Sequence, residues 1–202
     1  MKKIKFIFAL FLTFAISQKC FDQIATTSHD FSGSDWGSTE ICIFCHTPHN
    51  ADVTVTDAPL WNHLVTTETF TEYSSASLDA TVGAPTGISK LCLSCHDGAT
   101  NVDAFGGGAG ISTISAAGDL DVDLTDDHPI SFTYDATLAS NDGELENPTT
   151  ANSGLGGTIT ADMLFGGQME CASCHDAHDN TNGSFLIMSN AASALCLTCH
   201  IK

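Results

Sequence analysis

Cys-x-x-Cys-His occurs four times in this chain, at Cys42–His46, Cys92–His96, Cys171–His175 and Cys196–His200. No other feature restricts the fold as strongly. The pattern is the attachment signature of a c-type haem. Two thiols one helical turn apart add to the two vinyl groups of the porphyrin, and the next residue presents an imidazole to the iron. Zinc sites and redox dithiols also use paired cysteines, but neither asks for a histidine directly after the second cysteine, four times in four. Cys42, Cys45, Cys92, Cys95, Cys171, Cys174, Cys196 and Cys199 are therefore expected to hold four covalent haems, with His46, His96, His175 and His200 as proximal iron ligands.

The N-terminus points the same way. Lys2, Lys3 and Lys5 make a basic start, Phe6 to Ile16 an apolar run, and Ala15-Ile16-Ser17 a small-x-small cleavage site. Residues 1–17 read as a secretory signal peptide, too short for a membrane span, leaving residues 18–202 as a single tetrahaem cytochrome domain. Haem is attached to such motifs outside the cytoplasm, so the protein is expected to be exported, to the extracellular space or cell surface, with the periplasm as the alternative. Cys20 stands outside the motifs. Gln18-Lys19 does not supply the small residues of a lipoprotein signal, and a lipid anchor, a free thiol or an intermolecular disulfide all remain open for it.

Once residues 1–17 are removed, three lysines face 24 acidic side chains, a net of −21. Nucleic acid is excluded as a partner, since binding phosphate needs cations, and an anionic membrane surface is equally unfavourable. A basic redox partner protein or a cationic extracellular acceptor suits this charge. About 185 residues would ordinarily build one layered domain, but four porphyrins replace much of the side-chain core. Long stretches rich in Ser, Thr, Ala, Gly, Asp and Asn lack helical or alternating periodicity. The expected fold is a multihaem cytochrome c: mostly irregular coil with short helices wrapped around a chain of four haems, and little strand. Helix is expected at the motifs, with a few turns around Ser189–Cys199. The acidic run Asp119 to Asp127 lacks the Gly and Glu of a calcium loop, with Leu124 and Ile130 in their places, and reads as a solvated loop or strand.

Nine histidines are present. Four are proximal, leaving His29, His49, His63, His128 and His178 for four sixth coordination positions. Met163, Met169 and Met188 match four sites poorly. Bis-His ligation with low reduction potentials follows, and irons saturated in this way give an electron carrier and not an enzyme. His49 and His178 each stand three residues beyond a proximal ligand, too close to bend back to their own iron and well placed to reach another. In Asp126-Asp127-His128-Pro129 a carboxylate is at hand to orient the imidazole. His63 is the candidate for the spare.

Six blocks resemble the secreted tetrahaem cytochromes that polymerise into extracellular nanowires. They are Cys42-Ile-Phe-Cys-His-Thr-Pro-His-Asn50, Ala58-Pro-Leu-Trp-Asn62, Leu91-Cys-Leu-Ser-Cys-His-Asp-Gly98, Asp126-Asp-His-Pro129, Glu170-Cys-Ala-Ser-Cys-His-Asp-Ala-His178 and Ser193-Ala-Leu-Cys-Leu-Thr-Cys-His200. The likeness runs in order from about His29 to the C-terminus. It implies a continuous haem row in a head-to-tail homopolymer, with one iron ligated from the adjacent subunit. The matching position is His49, serving the third or fourth haem of its neighbour. His178 would then reach the first haem, and His29 and His128 the remaining two.

One feature of the chain favours polymerisation independently. Little polypeptide follows His200 to cover the fourth haem, and only a short segment precedes the first. The expected function is electron transfer through four bis-His haems in an extracellular conductive filament. The alternative is a soluble monomeric periplasmic carrier, or the electron-feeding subunit of a reductase. Asn182-Gly183-Ser184 is a glycosylation-type sequon.

Overall fold

Hydrophobic runs in this chain are short and broken by Gly, Ser and Asp, which leaves little room for long periodic elements. The computed structural model describes residues 24–56 and 58–202, and these are mostly coil, with a few short helices and one two-strand sheet. The expected signal peptide and Cys20 fall outside the described residues. Among those residues no helix is long and apolar enough to cross a membrane.

The longest element is helix α1, Gly87–His96, which carries the second motif. It buries Ser89, Leu91, Leu93 and Ser94, so it is enclosed on more than one side. Burying each leucine contributes about 1.5–3 kcal/mol. The helix ends where Asp97 returns its N–H to the Leu93 carbonyl and Gly98 turns left-handed, with φ +68. A side chain at Gly98 would also collide with the Asp119 carboxylate, so glycine ends the helix here for two reasons.

Two further helices lie in the long interval between the second and third motifs. Helix α2, Ala136–Asp142, begins at Asp135, whose carboxylate accepts from the N–H groups of Thr137 and Leu138, and stops at the left-handed Gly143. Helix α3, Ile159–Asp162, is capped by Thr158. Strands β1 (Phe132–Thr133) and β2 (Gln168–Met169) pair antiparallel, with Phe132 opposite Met169. This cross-strand pair is buried and anchors the largest apolar cluster, with Tyr134, Leu138, Ile159, Met163, Leu195 and Cys199.

Two smaller clusters lie beside it, and Phe44, Val102 and Ala104 are buried outside all three. Val55, Trp61 and Leu91 form one, and Phe70, Leu93 and Leu124 the other. Helix α1 supplies a leucine to each, so the second motif is held from both sides. The acidic run is a turn-rich segment whose Leu124 is buried while Asp121 and Asp123 face solvent.

The fourth motif is met by chain from the long interval between the second and third motifs. Glu146 donates its N–H to the Cys199 carbonyl at 2.8 Å, and Ile201 donates to Glu144 at 2.7 Å. The Tyr134 hydroxyl donates to the Glu146 carbonyl at 2.6 Å. Chain that is distant in sequence, residues 134–146, thus wraps this segment. Leu195 and Cys199 are buried, while Leu197 and Ile201 stay exposed.

Candidate haem centres

Each motif is bent into a single helical turn. The first lies on a 3-10 turn, Ile41–Phe44, and His46 donates its N–H to the Cys42 carbonyl at 2.8 Å. The second closes α1. The third follows a 3-10 turn at Cys171–Ser173, with His175 donating to Cys171 at 3.1 Å, and the fourth lies on helix α4, Cys196–Cys199, with His200 donating to Cys196 at 2.9 Å. One turn puts both thiols and the imidazole on one side of the backbone. All eight thiols are free of disulfides.

The competing uses of these thiols fare poorly. Burial pushes the Cys45 thiol up to about 11 and the Cys199 thiol up to about 12, opposite to the lowered values of a redox dithiol. Among the described residues no three His, Cys, Asp or Glu side chains converge as a bare metal-ion site, as a zinc ribbon requires. A donor is also left over beside the first and second motifs. Trp61 is 8% exposed, packs with Leu91 and Cys45, and its Nε1 has no hydrogen-bond partner among the described residues. Free paired thiols, adjacent imidazoles and an unanswered buried donor fit a covalently bound, acceptor-bearing porphyrin.

The imidazoles are oriented by backbone carbonyls. His46 Nδ1 donates to Pro59 O at 2.6 Å, His96 Nδ1 to Gly118 O at 2.5 Å and His175 Nδ1 to Ser184 O at 2.9 Å. A carbonyl can only accept, so the proton sits on Nδ1 and the lone pair on Nε2 faces outward for a metal. His128 is held the same way by Pro129 O at 2.9 Å and His29 by Ala177 O at 3.4 Å, while His178 Nδ1 lies 3.2 Å from Asp176 Oδ1. Burial, with smaller contributions from His96 and His178, lowers the pKa of His29 and favours its neutral, ligating form.

Three pairs of rings share one spacing. The centroids of His46 and His178 are 6.0 Å apart, those of His29 and His96 6.1 Å, and those of His128 and His200 6.4 Å. Two imidazoles on opposite sides of one metal, each bonded at roughly 2 Å, have centroids roughly 6 Å apart. Among the described residues neither His175 nor His49 has another histidine ring at this spacing, and both are exposed. His63 is placed differently. It is 3% exposed, donates from Nδ1 to Leu64 O at 2.9 Å, and its Nε2 lies 3.4 Å from Cys95 Sγ.

Successive motifs abut. Burial and then the neighbouring Cys45 push the Cys95 thiol up, and Cys174 is raised by burial and by Cys196. The second and third motifs meet where the Cys171 N–H donates to the hydroxyl of Ser89 in α1 at 2.9 Å. The attachment segments therefore meet in sequence order, first to second, second to third and third to fourth.

Two buried carboxylates at these junctions were not singled out by sequence reasoning. Asp97 accepts from Thr66 Oγ1 at 2.6 Å and from the N–H and hydroxyl of Thr100, both at 2.7 Å. Burial opposes its charge, but the hydrogen bonds win and hold the carboxyl below its usual range. Glu170, directly before Cys171, is the other. The signal available was an acid next to a Cys-x-x-Cys-His motif, where an apolar residue packs more cheaply.

A family model described as the doubled CXXCH motif matches residues 165–202, which contain the third and fourth motifs. The match indicates a cytochrome-like protein with covalently bound c-type haem. Electron transfer is the function such motifs indicate. No curated protein matches the chain.

Proposed function

We propose that the chain is an exported tetrahaem electron-transfer protein that assembles head to tail into an extracellular conductive filament, as in the nanowire cytochromes it resembles. The inventory of rings carries this reading. Three motif histidines each have a second imidazole at one common spacing, and one motif histidine, His175, is left together with one exposed imidazole, His49.

When bound, each haem supplies an iron that alternates between ferric and ferrous states and so carries one electron. The chain's own residues do the rest. The eight motif cysteines fix four porphyrins, and the carbonyls of Pro59, Gly118 and Ser184 keep three proximal imidazoles in the ligating tautomer. His178, His29 and His128 would supply the second imidazole for the haem at the first, second and fourth sites. His49 of a neighbouring copy would join His175 in holding the third. A contact of this heterologous kind repeats without closing and generates a helical filament. With every sixth position filled no iron is left for a substrate, so the protein carries electrons and is not an enzyme.

Replacing His49 with Ala tests this directly. The variant is expected to lose assembly and to acquire one high-spin haem of the four. A soluble periplasmic carrier, or the electron-feeding subunit of a reductase, would keep its size, and that result would overturn the filament reading.

A further inference from the structure

The junction between the second and third motifs holds a charge that haem attachment does not require. Glu170 is 3% exposed. Its carboxylate accepts from the Ser89 N–H at 3.2 Å, from the Ser131 hydroxyl at 3.1 Å and from the backbone N–H of Ser173. The two backbone partners can only donate, while the Ser131 hydroxyl also lies 3.5 Å from the Thr86 carbonyl. Neither ion pair among the described residues involves Glu170. The charge is therefore compensated by dipoles alone.

Its position joins two attachment segments. Glu170 directly precedes Cys171. Ser89, which donates to Glu170 from its backbone, accepts the Cys171 N–H on its hydroxyl at 2.9 Å. A side chain at Gly87 would come within 2.9 Å of Glu170 Oε1, so the carboxylate is seated tightly against the start of α1. A staple of this shape needs no net charge, because Gln has the same size and also accepts hydrogen bonds. Burying an anion with no ion-pair partner is costly.

We propose that Glu170 is a fixed negative charge shared by the second and third haems, lowering the reduction potentials of both. This rests on the proposal that all four motifs carry haem. A bis-imidazole iron gains one positive charge on oxidation, and a nearby anion in a poorly solvated setting favours that oxidised state.

The test is a spectroelectrochemical titration of secreted holoprotein bearing Glu170→Gln, Glu170→Asp or Ser131→Ala, with intact mass reporting the haem count. Glu170→Gln with four haems should raise two of the four midpoint potentials, and Glu170→Asp should largely restore them. Ser131→Ala removes a donor, leaves the charge less compensated and should move the same two midpoints downward. Four haems with unmoved midpoints in Glu170→Gln would overturn the proposal and leave Glu170 a structural staple. If Glu170→Gln fails to load haem, Ser131→Ala decides, since an unmoved titration there overturns the proposal equally. Fewer than four haems in the unsubstituted protein would instead refute the tetrahaem reading on which it rests.

Discussion

The rings of His46 and His178 lie 6.0 Å apart and within 12° of parallel, although one follows the first motif and the other follows the third. Folding has therefore closed the chain on itself around the first attachment segment. Removing His178 should open one iron and leave the others untouched. His178→Ala is expected to keep four haems but to bind one equivalent of carbon monoxide when reduced, where the parent protein binds none. Carbon monoxide binding by the parent protein would mean that an iron was already open, and the reading as a pure electron carrier would fail.

Gly98 joins helix geometry to iron geometry. It is left-handed with φ +68, and a methyl group there would meet the Asp119 carboxylate. Asp119 follows Gly118, whose carbonyl holds His96. Gly98→Ala should destabilise the holoprotein by about 1–3 kcal/mol. It should also disturb the electron paramagnetic resonance signal of one low-spin haem, because the loop that orients its imidazole must shift. A loss of stability with all four signals unchanged would separate the two effects and count against Gly118 as the orienting group.

Tyr134 predicts a response to alkali. It is buried, donates to the Glu146 carbonyl, and its pKa is raised, first by burial, then by Cys199 and then by the acidic Glu146 and Asp142. The unfolded chain ionises this phenol near 10.0, while the folded chain keeps it neutral to higher pH. Stability attached to the neutral phenol is therefore intact below about pH 10 and declines as pH rises above it. Tyr134→Phe should cost about 0.5–1.5 kcal/mol at neutral pH and flatten the alkaline decline in denaturation midpoints. An equal alkaline slope in both proteins would assign that decline elsewhere.

The parts of this molecule legible in its sequence are those fixed by local chemistry. A covalent haem needs two thiols and an imidazole within five residues, so the attachment segments could be read directly, and the helical turns at Ile41–Phe44, Gly87–His96 and Cys196–Cys199 follow from that spacing. The predominance of coil was legible from composition. Helix α2 was not anticipated, though Asp135 and Gly143 mark its ends, because a seven-residue helix shows too little periodicity to register. The pairing of Phe132 with Met169 involves two-residue strands far apart in sequence and leaves no local trace. The five spare histidines were visible as a count. Which of them faces which motif depends on tertiary closure, and the resemblance, not the residues alone, supplied the expectation. The burial of Glu170 had little sequence signal beyond its own motif, since Ser89 and Ser131 reach it from distant stretches of chain.

The most direct measurement is cryo-electron microscopy of the natively secreted protein. The account predicts unbranched filaments with an unbroken row of haems, four to each subunit, in which His49 of one copy ligates the iron held by His175 of the next. Discrete particles across pH and concentration, or an iron at His175 ligated on both faces from within its own chain, would contradict it.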